Sequence, residues 1–394
     1  MRQEFRVARS CLFMGLLVLG ACGGAPADED ELTSAVSGQA VSWTPLGGNL
    51  SPEPGSLVTR LSLAGDPRLE PVLAFSTIDQ VTSAEQTRVA RFSDGGWVAL
   101  GPPLTALGPS VANDSQRRAY LCTGSGGPLV RRWNGTSWVA VGGNISQETG
   151  YQGTRYQVGS CGGLVLDSTD TPLVAFSADV GAKANAVYAA RWNRQEERWE
   201  GLGPGSIGGR ATEVYVDIDV QDRLYVAAYS PGGSYGGGAT TRVWRWSGSS
   251  WTQLGGDLPG TASPVIGVYQ NTAYLALHDN ASGEIRVLKW RQGAWQPLPS
   301  PGHGELPALD FTKFGRPVVA YADAGPPAAL RVKYFLGGAW HSADPGVSIA
   351  ADRLVGGLEL SLDSRGRPSL AWNEQDLGGS QAGVFVRRAS TSLP

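Results

Sequence analysis

The amino-acid sequence predicts an all-β fold: a seven-bladed β-propeller made of four-stranded blades. Three observations lead there. An aromatic–tryptophan pair recurs from one end of the chain to the other. Short apolar runs alternate with turn residues throughout. A fourth strand with no blade at one end matches a blade with no fourth strand at the other.

The repeat is clearest in Val243-Trp244-Arg245-Trp246-Ser247-Gly248-Ser249-Ser250-Trp251-Thr252-Gln253-Leu254-Gly255-Gly256. Phe92/Trp97, Trp133/Trp138, Trp246/Trp251, Trp290/Trp295 and Phe335/Trp340 share its spacing, and Trp192/Trp199 has a turn two residues longer. An apolar residue and Gly or Pro follow the tryptophan, as in Leu100-Gly101, Val141-Gly142, Leu202-Gly203, Leu254-Gly255 and Leu298-Pro299. Self-similarity at roughly 40–50 residues is the period of a propeller blade. Rings recurring at one place in every blade read as packing between neighbouring sheets, not as a row of sugar-stacking surfaces.

Within a repeat the strands follow in order. The third reads Gly162–Asp167, Pro172–Ser177, Ala186–Trp192 and Trp199–Leu202. The first turn carries aspartate, as in Asp167-Ser168-Thr169-Asp170-Thr171-Pro172, Asp219-Val220-Gln221-Asp222 and Asp363-Ser364-Arg365-Gly366-Arg367-Pro368, which suits a tight hairpin better than a calcium loop. Second strands are continuous apolar runs such as Val72-Leu73-Ala74-Phe75 and Val318-Val319-Ala320-Tyr321, the mark of a fully buried strand. First strands are expected near Leu57–Leu63, Ser110–Ala112, Gly162–Asp167, Thr212–Asp219, Pro264–Tyr269, Leu306–Phe311 and Gly357–Leu362. The last of these repeats stops short of a Trp-x-x-Leu-Gly strand, and Val41-Ser42-Trp43-Thr44-Pro45-Leu46-Gly47 supplies one. Residues 41–47 are therefore expected to close the ring, which removes the open sheet edges.

The chain has 394 residues, 17% of them charged, and a formal net charge of -3. That balance argues against a nucleic-acid or anionic-lipid surface, so no nucleic-acid partner is expected. Residues 1–21 read as a signal peptide, with Arg2, Arg6 and Arg9 before the apolar Cys11–Leu19. Leu19-Gly20-Ala21-Cys22 resembles the lipobox of bacterial lipoproteins. That resemblance implies cleavage before Cys22, a lipid on its thiol and membrane anchorage; an ordinary secretory signal cut after Ala21 is the alternative. Residues 22–40, with Asp28-Glu29-Asp30-Glu31 among small residues, read as a flexible acidic tether. Residues 41–394 form the propeller. Gly23, not aspartate, follows Cys22, which favours the outer over the inner membrane of a bacterial envelope.

Trp133-Asn134-Gly135-Thr136-Ser137-Trp138 resembles the second half of a kelch repeat. The likeness spans residues 41–394 by architecture but about a third of each repeat by motif. Kelch repeats carry a double glycine after the second strand, where this chain has Ala175-Phe176-Ser177 or Ala320-Tyr321-Ala322. The resemblance implies a kelch-like lipoprotein propeller, and the fold by itself carries no function.

Cys122 and Cys161 fall on one face of adjacent blades; an oxidising envelope favours a disulfide, with two buried free thiols as the alternative. That face also carries the segments Ser76–Gln86, Asn144–Ser160, Ser230–Thr241 and Trp372–Gly383, expected to be long polar loops. Tyr151, Tyr156, Tyr235, Trp372, Asn373 and Glu374 are the ligand-binding candidates there. His278, His303 and His341 lie far apart without metal-ligand spacing, so neither metal nor cofactor is expected. The function expected is a monomeric, membrane-anchored, extracytoplasmic binding module, not an enzyme, engaging a protein or glycan through its loop face. The first alternative is a carbohydrate-binding lectin. The second is a propeller glycosidase or lyase, which carboxylates, arginine and tyrosine converging at the central channel would favour.

Overall fold

A computed structural model of the chain describes residues 41–394 apart from 49, 51, 67, 69, 125–126, 150–160, 181–182, 233–237, 324–326 and 379–380. Cys22, Tyr151, Tyr156 and Tyr235 lie outside the described residues. The strands form seven antiparallel sheets; in six the first four strands follow chain order, and the seventh takes its outer strand from the start of the propeller. The inner strands are Ser56–Ala64, Ser110–Asn113, Cys161–Leu166, Glu213–Ile218, Thr261–Tyr269, Glu305–Phe311 and Arg353–Leu362.

The seventh blade is built from both ends of the propeller. Trp43–Pro45 lies outside Ala382–Ala389, with Trp43 opposite Ala389 and Pro45 opposite Arg387. The ring is thus closed by the strand expected to close it. Each second strand packs between two neighbouring sheets, so both of its faces must be apolar. Val72, Leu73, Ala74, Val174, Ala175, Phe176, Val318, Val319 and Ala320 are all fully buried.

The paired aromatics meet edge to face or tilted, with centroids 5.5 Å apart for Phe92/Trp97 and 5.1 Å for Phe335/Trp340. Beyond packing, each tryptophan donates its indole N–H to the preceding blade. Trp97 bonds the Leu46 carbonyl, Trp138 Leu100, Trp199 Val141, Trp251 Leu202, Trp295 Leu254, Trp340 Pro299 and Trp43 Ala343, at 2.6 to 2.8 Å. The glycine after the apolar residue has a steric cause. At Gly142 (φ +70°) a Cβ would stand 2.4 Å from the Trp192 ring, and at Gly47 (φ +70°) 2.8 Å from that of Trp97.

Aspartate organises the first turns. Asp219 Oδ1 accepts the amides of Gln221 and Arg223 while Oδ2 takes Arg223 Nε at 2.6 Å. Asp114 with Arg118 and Asp363 with Arg367 repeat the pattern. Asp167 spends its oxygens on Thr169, Thr171 and Arg191, and Asp170 takes the amide and hydroxyl of Ser115 from the preceding blade.

Three features depart from expectation. Segments beginning at Gly208, Leu258, Gly302 and Val347 add a short fifth strand to the third strands of blades three to six, covering an edge that the fourth strand leaves bare. Ser76–Gln86 and Trp372–Gly383 are for the most part strand, because the second strands of blades one and seven run out to Asp79 and Asp376 and the third strands begin at Glu85 and Ala382. A short helix, Ile145–Glu148, enters the connection to blade three, and Glu148 Oε2 takes the Trp199 amide at 2.7 Å.

Removing residues 41–47 deletes one strand, one indole donor and one indole acceptor together, so the ring should lose cooperative thermal unfolding at its normal midpoint. An unchanged Tm would refute closure. Trp251→Phe keeps the ring but strands the Leu202 carbonyl, and should cost about 1–3 kcal/mol by denaturant titration.

Candidate functional site

Inner strands have one edge with no partner strand, facing the axis of the ring. Several polar side chains there serve that edge. Ser62 Oγ accepts the Val111 amide at 3.0 Å and Ser110 Oγ the Leu164 amide at 2.9 Å. Asp217 takes the Val268 amide and Asp310 the Leu362 amide, each reaching the next blade. These four are structural links between blades.

Four other polar groups on the same wall take no edge amide. Arg60 comes from blade one, Glu213 and Tyr215 from blade four, and Glu359 from blade seven. Arg60, Tyr215 and Glu359, with Ser62, Ser110, Gly162 and Gly163, line a cavity of about 140 Å³ on the axis. Arg60 reaches the channel because its strand carries a bulge between Val58 and Arg60. The bulge shifts the phase of burial, so Val58, Leu61 and Leu63 pack inward while Arg60 faces the axis. From there it crosses the channel. Its Nη2 donates to the Gly162 carbonyl of blade three at 2.8 Å, and its guanidinium lies 5.9 Å from the Tyr215 ring centroid. Gly162 and Gly163 let blade three pack closely on blade four, since a Cβ on either would stand 2.5 Å from Val214 or Val216.

The electrostatics follow from depth. Burial raises the Glu359 carboxyl to about 7, against the pull of Arg60 in the opposite direction. It raises Glu213 in the same way, and pushes the Tyr215 phenol up. Lower in the channel, burial raises Asp217 to about 7 and Asp310 to about 6, although each accepts two backbone amides. Each keeps an opening to the axis, but little bulk water surrounds it. Near neutrality the upper cluster therefore offers guanidinium and phenol donors beside carboxyls able to donate or accept. Such a set can hold a hydroxyl-rich group in several directions at once, or move a proton to and from it.

The candidates drawn from the sequence fare differently. Trp372 is 3% exposed, stacked on Phe385 at 5.5 Å, with its N–H on Glu374 Oε1 at 2.8 Å, so its ring offers no face to a ligand. Asn373 is buried against Gly356 and Gly357. Glu374 stands at the loop-face end, held by the Trp372 indole. Cys122 and Cys161 are joined, with Cα atoms 5.9 Å apart, tying blade two to the start of the strand that holds Gly162. Arg60, Glu213, Tyr215 and Glu359 escaped sequence reasoning. The available signal was Glu213-Val214-Tyr215-Val216-Asp217, polar at every second position of a strand expected to be innermost. A larger cleft of about 320 Å³ between blades six and seven is lined mostly by alanine and leucine, and its Asp323 is paired with Arg331.

No family model matches the chain, and no curated protein does. Solved structures do. YCF48 bound to D1 peptide aligns over 89% of this chain and 97% of its own at 14% identity and a TM-score of 0.51. A protein of unknown function from Dyadobacter fermentans aligns over 88% and 98% at 12% identity and TM-score 0.50. An α-L-arabinanase from Penicillium chrysogenum, complexed with arabinobiose, aligns over 74% and 98% at 14% identity and TM-score 0.45. The kinship is one of fold.

The raised carboxyls fix the sign of a pH effect. Glu359, Asp217 and Asp310 hold protons in the fold at pH values where unfolded carboxyls, near 4, have lost them. Stability should therefore fall as pH rises from about 5 to about 8. Thermal melts across that window should show a falling Tm, and Glu359→Gln with Asp217→Asn should flatten the slope. A Tm that climbs with pH would contradict the burial of these groups.

Proposed function

We propose that the protein is an extracytoplasmic binding module, held at the bacterial cell envelope through a lipid on Cys22, that receives the end of a glycan in its central channel. The observation that carries this reading is the convergence of Arg60, Tyr215 and Glu359 on one cavity from three blades, with Glu213 two residues from Tyr215 and with only Arg60 bonded to another blade. A cavity of about 140 Å³ is below the ~300–1,000 Å³ usual for a whole small ligand, which suits the tip of a longer chain. Donors and acceptors side by side suit hydroxyls better than an anion or a cation alone. Leu19-Gly20-Ala21-Cys22 supports the anchor and a place in the outer membrane, and the partial kelch-type motif supports a kelch-like lipoprotein. The module works as a monomer.

A second reading has its own observation. Two carboxyls raised by burial beside an arginine and a tyrosine are the inventory of a glycosidase or lyase, and this is the cluster that favours that alternative.

A glycan array probed with the full chain carrying Cys22→Ala should show selective binding. Arg60→Ala and Glu359→Gln should each weaken it at least about tenfold, near 1.4 kcal/mol, while Trp372 serves only the core. New reducing or unsaturated ends appearing in the bound glycan, and lost with Glu359→Gln, would decide for the enzyme. A blank array with intact fold would remove the glycan reading and leave a protein ligand. Separately, Cys22→Ala should release the chain from membranes, and continued fractionation with them would refute the anchor.

A further inference from the structure

The face opposite the channel mouth carries the turns that end each inner strand, and those of blades five and six lack the aspartate. Where blades two, four and seven have aspartate, blade six has Thr312, followed by Lys313-Phe314-Gly315-Arg316. Phe314 is 60% exposed at the tip of this hairpin, the largest such ring among the described residues. Lys313 Nζ lies 4.9 Å and the Arg316 guanidinium 5.4 Å from its centroid. The hairpin is held firmly: Tyr269 of blade five donates its hydroxyl to the Lys313 carbonyl at 3.0 Å, and its ring fills the space over Gly315. Arg291 and Arg365, in exposed turns of the same face, join Lys313 and Arg316 as cations with no acidic partner within ion-pair distance among the described residues. The net charge of -3 is thus a poor guide to blades five to seven.

The propeller chain enters on this same side. Ser42 bonds Ser390 through both backbone and hydroxyl. From Ser390 the chain runs to Leu393, whose amide bonds the Gly366 carbonyl. A Cβ on Gly366 would lie 3.9 Å from the Lys313 amide nitrogen. Val41 therefore stands on the side of the ring that carries the Phe314 hairpin. Cys22 lies 19 residues before Val41 in the sequence.

We infer that Phe314, with Lys313 and Arg316 on its ring, Arg365 in the neighbouring turn and Arg291 farther out on the same face, is a docking surface for the anionic lipid headgroups of the membrane that holds the anchor, so that the channel mouth points away from the bilayer. The inference rests on the lipid anchor at Cys22. An aromatic side chain suits the headgroup boundary, and each cation near an anionic surface adds about 1 kcal/mol, roughly fivefold in partition. A lipid on Cys22 fixes attachment but leaves the ring free to turn; an ionic contact on the same side would fix its orientation.

The test uses the full lipidated chain reconstituted in phosphatidylcholine vesicles, with and without phosphatidylglycerol. An environment-sensitive dye is placed at Phe314→Cys or, on the opposite face, at Ser282→Cys. A blue shift at 314 that needs phosphatidylglycerol, is absent at 282, and disappears with Lys313→Gln/Arg316→Gln is the expected result. A chain that stays with the vesicles but shows no shift at 314, or equal shifts at both positions, overturns the orientation while leaving the anchor intact. A chain that leaves the vesicles overturns the anchor and the orientation with it.

Discussion

The structure depends on one contact made seven times: an indole N–H of one blade on a backbone carbonyl of the blade before it. Sheets packed only through apolar faces can slide. A directional bond of 2.6 to 2.8 Å at the outer rim sets how far each blade turns relative to the last. The glycine beside the acceptor is part of the same device, because the next ring occupies the place of its side chain. Aromatic, tryptophan, apolar residue and glycine thus recur together because they form one joint, half of it on each blade. The joints on both sides of blade seven, to six and to one, are made only when Trp43 and Leu46 have been delivered from the far end of the chain.

At the axis the problem is reversed. Seven inner strands present edge amides to a channel too narrow for bulk water, and hydroxyls or carboxylates of a neighbouring blade meet some of them. Carboxyls are costly in such a place, which is why Asp217 and Asp310 sit well above their ordinary range even with two amides each. Against that background, Glu213 and Glu359 bear a similar cost with no amide in return. A polar group kept at a cost and without structural work is where a ligand belongs.

The fold was legible in the sequence because its joints are local: aromatic, turn, tryptophan and glycine lie within a dozen residues, and the missing strand could be found by matching one end to the other. The channel was not, because its members stand between 60 and 359 in the chain and meet only when the ring closes. Arg60 is hidden further, since a bulge decides which way it points and no turn residue announces that bulge. Trp372 misled for a related reason. Its neighbours Asn373 and Glu374 are polar, so the segment resembled a loop, whereas the strand continues to Asp376 and places the indole on Phe385.

Closure also divides the molecule by chemistry. The inner strands all run the same way, so the ends where they begin gather the disulfide, the Arg60 bulge and the second-to-third strand turns on one face. The ends where they stop gather the Asp-stabilised turns, the entry of the chain at Val41 and the Phe314 hairpin on the other. A ligand taken in at the first face meets a channel whose charge can be shifted by protons near neutrality. An attachment at the second face leaves that mouth unobstructed. The two tasks proposed for the protein therefore need not compete for surface, and the direction of the inner strands is what keeps them apart.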